Sequence, residues 1–176
     1  LGDVYKRQMF MSGTNRTGIP NSLNEHWMPF SSNKDFKKNP RLISDAKGIY
    51  LKTHEGSTLI DGSSGLYCNP LGHGRREIID AIKNQLEKLD YTMPFQQGYG
   101  GSFELATKIA QKTPEDLNKI FYTICGSTAV ETAIKIAVAY FRAKGESKRF
   151  RFVGRERGSH GMNIGSLTVG GILNNV

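Results

Sequence analysis

The sequence predicts an α/β fold, because short apolar segments alternate with helical patterns along the chain. The clearest case is the aromatic, apolar segment 119–124, which is followed by a helical pattern over 128–144 and a second apolar segment at 150–153. Two strands joined by a helix form a βαβ unit, which favours a parallel sheet and a right-handed crossover. We expect the helix over 128–144 to be buried, because it is apolar on most of its faces.

Three further segments carry regular patterns. Residues 75–89 place four aliphatic side chains on one stripe with charges opposite, which predicts an amphipathic helix. Residues 102–112 predict another helix, which ends before Pro114 because the residue preceding a proline avoids the helical region. Alternating apolar side chains with a turn at 54–57 predict a β-hairpin over 48–61.

The composition indicates one ordinary globular domain. The chain has 176 residues, of which 38% are hydrophobic and 10% aromatic, unlike a disordered or a membrane chain. No apolar run approaches the ~20 residues of a membrane span, so we expect no membrane association. The net charge of +8 comes from scattered basic residues without a recognition motif, so we expect no nucleic-acid partner.

The cysteines and histidines give little sign of chemistry by themselves. Cys68 and Cys125 have neither metal-ligand nor C-x-x-C spacing, and we interpret them as reduced, buried thiols of a cytoplasmic protein. His26 and His54 have no partner pattern and are expected at the surface. His73 lies between two glycines and is interpreted as a turn or packing residue. The spacing predicts no metal site.

The most informative motif is the Cys125-Gly126-Ser127-Thr128 turn between the apolar segment and the long helix. A helix N-terminus has unpaired backbone N–H groups and a partial positive charge, which suit a phosphate. Gly126 allows a ligand close to the backbone, and the two hydroxyls can donate hydrogen bonds. The alternative is an ordinary helix cap at Ser127 or Thr128 without any ligand.

Five other short motifs accompany this turn in the chain. They are HWMPF at 26–30, DGSSGLYC at 61–68, GHGR at 72–75, FELA at 103–106 and GRERGSHG at 154–161. Their order and spacing resemble the N-terminal part of class III pyridoxal-phosphate (PLP) aminotransferases, closest to the ω-amino acid–pyruvate (β-alanine–pyruvate) branch. The resemblance extends over nearly the whole chain.

This resemblance implies PLP-dependent transferase fold type I, the aspartate aminotransferase-like α/β fold, in incomplete form. It implies PLP as the cofactor and transfer of an amino group from an ω-amino acid or amine to a keto acid such as pyruvate. It also implies a homodimer with sites at the subunit interface.

The resemblance also divides the chain. Residues 1–8 have no counterpart in the family, and we interpret them as a non-native tail. Residues 9–74 would form the N-terminal arm and hairpin of the small domain, and residues 75–176 the first, truncated part of the large PLP-binding domain. The family places the Schiff-base lysine beyond Val176, so no catalytic residue is assigned here and the chain alone would lack that lysine.

The resemblance assigns five residues to the cofactor. The backbone of Cys125, Gly126 and Ser127, with the Ser127 hydroxyl, would bind the PLP phosphate. Ser159 and His160 stand where relatives have an aromatic residue and a histidine beside the cofactor ring. Since Ser159 cannot stack on a ring, that contact is lost or is supplied by His160.

Three apolar side chains are assigned to the substrate pocket by the same resemblance. Leu66 and Tyr67 would line it, with core or interface packing as an equal alternative for such residues. Phe95 would project into the pocket of the neighbouring subunit.

Two alternatives to an ω-amino acid–pyruvate aminotransferase stay open. One is another class III enzyme of the aminobutyrate or diaminopelargonate type. The other is a non-catalytic dimerising paralogue, because Cys125, Thr128 and Ser159 depart from the residues common in the family. A downstream lysine in the expected context would indicate an enzyme.

Overall fold

The computed structural model describes residues 19–171. Residues 1–8, which we interpret as a non-native tail, lie outside this range. The described residues fall into two compact units, which divide between Tyr91 and Thr92. The domain boundary expected after residue 74 concerns the complete fold and stays a prediction. The elements, in chain order, are α1 (Asn33–Lys38), β1 (Ile43–Lys47), β2 (Tyr50–Thr53), β3 (Thr58–Ile60), α2 (Arg76–Lys88), α3 (Gly100–Ala110), α4 (Gly126–Ala143) and α5 (Ile164–Thr168).

The first unit contains an antiparallel three-stranded sheet in the order β1-β2-β3. The β2–β3 pair, in which Leu51 lies opposite Leu59, confirms the predicted hairpin. The pairing of β1 with β2 was not predicted, because the sequence of β1 (ISDAK) lacks the alternation of apolar and polar residues that marks a half-buried strand. Tertiary pairing decides such a strand more than its own propensity does.

The start of the hairpin is tied to the chain that precedes α2. Gly48 and His73 exchange backbone hydrogen bonds, with N···O distances of 2.9 and 2.7 Å. A Cβ atom at Gly72, where φ is +83°, would lie only 3.0 Å from the Gly48 carbonyl oxygen. The glycine at 72 therefore permits this close approach, and His73 forms an isolated antiparallel β-bridge with Gly48 rather than a turn.

Three predicted helices are confirmed to within about one turn at their ends. The helix expected at 75–89 is α2, the one expected at 102–112 is α3, and the one expected at 128–144 is α4. The α4 helix begins two residues earlier than predicted, at Gly126, because the turn itself adopts helical geometry after Cys125. This shift places Gly126 and Ser127 inside the first turn.

The two predicted strands at 119–124 and 150–153 are not strands in the described part of the chain. A strand requires backbone hydrogen bonds to a neighbouring strand. Between residues 19 and 171, all strand pairing is within the antiparallel sheet of the first unit. The prediction of a parallel βαβ pair was therefore wrong for these residues.

The predicted burial of the long helix was also wrong. Across residues 19–171 no hydrophobic side chain is buried, and Ile136 in α4 is 56% exposed. The apolar stripe of α2 is equally open, with Ile82 55% exposed. Periodicity shows which faces are apolar, but burial needs a second surface, and the described residues supply none for these faces.

Three smaller predictions about exposure were wrong as well. Cys68 and Cys125 are both exposed free thiols rather than buried ones. The side chain of His54 is 7% exposed, and its Nδ1 atom has no hydrogen-bond partner among the described residues. His54 directly follows Thr53, which is itself buried. The fold of the hairpin therefore buries both side chains although both are polar.

Candidate functional site

The N-terminus of α4 presents a group of backbone donors that have no acceptor within the helix. Cys125 precedes the helix in an extended conformation, and the amide of Ala129 makes the first helical hydrogen bond, to the Cys125 carbonyl at 3.0 Å. The amides of Gly126, Ser127 and Thr128 therefore have no acceptor within the helix. Apart from the adjacent residues and the backbone of α4 itself, no described atom lies within 4 Å of the position that a Cβ would take at Gly126, so an anion can approach here.

The surroundings of the Cys125 thiol show that this turn favours a negative charge. Its Sγ atom lies 3.3 Å from Thr128 Oγ1. Hydrogen bonds from the Thr128 hydroxyl, and then from first-turn amides, hold the pKa of the Cys125 thiol below its ordinary value. Donors that stabilise a thiolate also suit a phosphate, so the residues present fit the phosphate group of PLP.

The Ser127 hydroxyl joins this turn to a second segment of the same unit. The amide of Met162 donates to Ser127 Oγ over 2.9 Å. A serine hydroxyl can accept hydrogen bonds while it donates its own proton, so Ser127 remains able to donate to a ligand. At Gly161, where φ is +124°, a Cβ would lie 2.6 Å from Ser127 Cα, and glycine is therefore required for this approach.

Ser159 and His160 lie directly before this contact and are both exposed. Neither side chain makes a hydrogen bond to another described residue. The imidazole of His160 folds back toward Gly158, since a Cβ at Gly158 would lie 2.9 Å from His160 Nε2. The structure places Gly161 and Met162 against Ser127, and Ser159 and His160 directly precede this contact in the chain. Their assignment to the cofactor stays a prediction.

Sequence reasoning missed one residue of this arrangement. The Glu131 carboxylate, one helical turn after Ser127, accepts a hydrogen bond from the Gly165 amide over 3.0 Å. The available signal was an acidic residue within the mostly apolar α4 sequence. Its partner amide carries no sequence signal, so the contact itself could not have been found.

In the first unit, Asp61 organises the segment that follows β3. Its carboxylate accepts hydrogen bonds from the Gly65 amide at 3.0 Å and from the Ser63 hydroxyl at 3.3 Å. The other carboxylate oxygen lies 2.9 Å from His73 Nε2, and the Asp61 side chain is only 8% exposed. The Gly65 amide, followed by His73, lowers the pKa of Asp61.

A left-handed turn follows Asp61. Four consecutive residues have positive φ angles, namely Ser64 (52°), Gly65 (58°), Leu66 (55°) and Tyr67 (67°). The turn is closed by hydrogen bonds from the Tyr67 amide to the Ser63 carbonyl at 3.1 Å and from the Asn69 amide to the Ser64 carbonyl at 2.8 Å. Leu66 and Tyr67 project from it as exposed side chains.

Phe95 belongs to the second unit, and its side chain is exposed. Among residues 19–171, no group of histidine, cysteine and acidic side chains could hold a metal ion. The helices in this range include none that is long and apolar enough to cross a membrane.

An open Gly-Ser turn at a helix N-terminus, packed against a glycine-rich loop, is typical of α/β proteins that bind phosphorylated ligands. Residues 31–175 match the family model described as "Aminotransferase class-III". The chain belongs to the class III aminotransferases, a family whose members depend on PLP.

The chain is similar to several members of this family. It is 44% identical over 155 residues to an omega-aminotransferase of Caulobacter vibrioides, covering 88% of this chain and 35% of the relative. It is 45% identical over 154 residues to a beta-alanine–pyruvate aminotransferase of Pseudomonas aeruginosa, covering 88% of this chain and 34% of that protein. The chain therefore spans about a third of the length of these curated relatives.

A solved structure shows the same fold. The adenosylmethionine-8-amino-7-oxononanoate aminotransferase of Methanocaldococcus jannaschii superimposes with a TM-score of 0.79 at 37% identity, covering 83% of this chain and 34% of that one. The described residues therefore have a partial form of the fold of PLP-dependent transaminases, fold type I.

Proposed function

We propose that this chain forms the amino-terminal part of a PLP-dependent transaminase. The proposed reaction moves an amino group from an ω-amino acid or amine to a keto acid such as pyruvate. The observation that carries the proposal is the packing of Gly161 and Met162 against Ser127, which joins a phosphate-type turn to the loop of Ser159 and His160. A helix cap without a ligand would not need that second segment.

The proposed roles follow from the donors at each position. The amides of Gly126, Ser127 and Thr128, with the Ser127 hydroxyl, would bind the phosphate, and the positive end of α4 would favour its charge. His160 would lie beside the cofactor ring in place of the aromatic residue found in relatives. When bound, PLP supplies the electron-withdrawing ring that amino-group transfer requires.

The substrate side of the proposal rests on three exposed side chains. Leu66, Tyr67 and Phe95 are 74%, 87% and 73% exposed, so each is accessible to a ligand or to another subunit. We assign them to the substrate pocket of a homodimer, with Phe95 contributed across the subunit interface. A cytoplasmic location fits the two free thiols.

The similarity to the named relatives supports the ω-amino acid–pyruvate class over the alternatives. The likeness to an adenosylmethionine-8-amino-7-oxononanoate aminotransferase supports that class of enzyme as a second candidate. A non-catalytic dimerising paralogue is the third candidate, because Cys125, Thr128 and Ser159 differ from the residues common in the family. The first-turn amides of α4, which suit an anion, favour cofactor binding over that candidate.

The gene sequence beyond the codon for Val176 and an assay of the full-length product test the proposal. We expect a lysine in the family's strand-end context, PLP bound by the purified protein, and alanine formed from β-alanine and pyruvate. Activity with 8-amino-7-oxononanoate instead would establish the second class. The absence of both the lysine and bound PLP would contradict the transaminase and favour the paralogue.

A further inference from the structure

Two side chains on one face of α4 bind two backbone amides of the following loop. Ser127 and Glu131 are four residues apart, so they lie one above the other on the helix. Ser127 Oγ accepts from the Met162 amide over 2.9 Å, and Glu131 Oε2 accepts from the Gly165 amide over 3.0 Å. Together the two contacts fix the chain from Gly161 to Gly165 along the first turns of α4.

The glycines in this segment allow the backbone to reach α4. A Cβ at Gly161 would lie 2.6 Å from Ser127 Oγ, and a Cβ at Gly165 would lie 2.8 Å from Glu131 Oε2. Real Cβ atoms do not approach this closely, so both positions accommodate only glycine without a shift of their neighbours. The loop is thus in van der Waals contact with α4 at the same two residues that accept its hydrogen bonds.

Glu131 also caps a helix that cannot cap itself. The α5 helix has five residues, and its N-cap residue Asn163 makes no side-chain capping hydrogen bond. A helix this short is unstable alone, because nucleation is costly and its first amides are unpaired. A carboxylate at its N-terminus accepts one of those amides and interacts favourably with the helix dipole. Glu131 therefore stabilises α5 from outside that helix.

We propose that Glu131 is a positioning residue that holds the Ser159–His160 loop in place beside the cofactor ring. The proposal rests on the proposed function, because it assumes that PLP binds at the α4 N-terminus. Glu131 does not touch the cofactor in this proposal. Glu131 holds the loop through its hydrogen bond to the Gly165 amide at the start of α5. Ser127 holds it through the Met162 amide, three residues earlier.

The simpler alternative is that Glu131 is an ordinary acid on the solvated side of a helix. Its hydrogen bond to an amide 34 positions away in the chain argues against this interpretation, because surface acids usually pair with nearby basic side chains or with water. No basic side chain within the described residues forms an ion pair with Glu131.

The test uses the full-length protein and compares three variants with wild type. Glu131→Leu removes the acceptor, whereas Glu131→Gln keeps an acceptor oxygen at the same place. Glu104→Leu is the matched control, because Glu104 is an exposed glutamate in α3. PLP affinity is measured by equilibrium dialysis, the ring environment by the induced circular dichroism of bound PLP, and the loop by hydrogen exchange at the Met162 and Gly165 amides.

We expect Glu131→Leu to lower PLP affinity by up to about tenfold, because the loop is then less ordered before PLP binds and one hydrogen bond to a charged group sets the upper limit of that cost. Its circular dichroism band should weaken, and exchange should accelerate more at Gly165 than at Met162, which keeps Ser127. Glu131→Gln should restore affinity to within about threefold of wild type, since a neutral acceptor keeps most of the bond. Glu104→Leu should match wild type in all three measurements.

If Glu131→Leu does not fold, Gly165→Ala tests the same contact from the loop side. Its methyl group would displace the Glu131 carboxylate and should reproduce the weaker PLP binding and the faster exchange. Equal PLP affinity and dichroism in wild type and these variants would overturn the inference while leaving the proposed function intact. Failure of wild type to bind PLP would instead overturn the proposed function, and the inference with it.

Discussion

His73 Nε2 lies 2.9 Å from Asp61 Oδ2, and this contact joins the two ends of the segment between β3 and α2. The same carboxylate also accepts the Gly65 amide at the start of the left-handed turn. Asp61 thus connects two parts of the chain. One is the turn on which Leu66 and Tyr67 lie, and the other is the segment around His73, next to the hairpin. We therefore expect the charge state of this carboxyl group to affect the order of the segment between β3 and α2.

Acidification should release this segment in the full-length protein. The folded-state pKa of Asp61 is lowered, so its stabilising contribution is complete above the ordinary value of about 3.9 and is lost as the pH falls through the lower folded value. Exchange protection at the Gly65 and Asn69 amides, corrected for intrinsic rates, should therefore fall in that acidic window. Asp61→Asn should show weaker protection that no longer depends on pH there, and the same pH profile in both proteins would refute the assignment.

The α4 turn gives a prediction about cofactor affinity. Ser127→Ala removes a proposed donor to the phosphate and should weaken PLP binding by roughly ten- to a hundred-fold, since hydrogen bonds to charged groups contribute ~1.5–3 kcal/mol. Gly126→Val should weaken it further, because the side chain would fill the open space beside the backbone. Equilibrium dialysis with PLP measures both effects. Ser102→Ala, which alters a hydroxyl in the first turn of α3, is the control. Unchanged affinity in both α4 variants would leave Ser127 with only the structural role of binding the Met162 amide.

The exposed thiol of Cys125 provides a chemical probe of the same turn. Because the pKa of Cys125 is lowered, its alkylation by iodoacetamide should reach half-maximal rate below the ordinary thiol value of about 8.5. Thr128→Val removes the hydroxyl that contributes most and should raise that midpoint. Bound PLP should slow the reaction by covering the turn. Identical midpoints in wild type and Thr128→Val would show that the hydroxyl does not act on the thiol.

The 176-residue chain expressed alone should be loosely packed. Its described residues bury no hydrophobic side chain, and the apolar faces of α2 and α4 are open. Such surfaces bind hydrophobic dyes and associate, and a chain without a packed core unfolds without a sharp transition. Dye binding, size-exclusion chromatography and a thermal melt test this together. A monodisperse monomer with a cooperative melt would contradict the expectation.

The helices were predictable because their signals are local. Apolar periodicity located α2, α3 and α4, and the Gly-Ser turn indicated where α4 begins. The strands at 119–124 and 150–153 were not correctly predicted, because a strand exists only through its partner and no described segment pairs with them. The prediction that α4 is buried was wrong for the same reason, since burial depends on a second surface.

The same distinction between local and long-range signals decides which residues of the candidate site could be predicted. Gly126 and Ser127 could be selected from the sequence, because a glycine and a hydroxyl at a helix start have a chemical meaning of their own. The Glu131–Gly165 contact could not, because it joins residues 34 positions apart and its donor is a backbone amide. The Asp61–His73 contact was missed because His73 was interpreted as a turn or packing residue, and nothing in the sequence marks Asp61, 12 positions earlier, as its partner.

The left-handed turn at 64–67 has a consequence for attempts to redesign substrate range. Leu66 and Tyr67 both have positive φ angles, and for residues other than glycine this conformation costs roughly 1–2 kcal/mol each. Branching at Cβ makes the conformation still less accessible, whereas glycine, asparagine and aspartate adopt it most easily. In a library randomised at these two positions, valine, isoleucine and threonine should be depleted whatever amine is offered for selection. The backbone would thus restrict the useful diversity of the proposed substrate pocket before any substrate does.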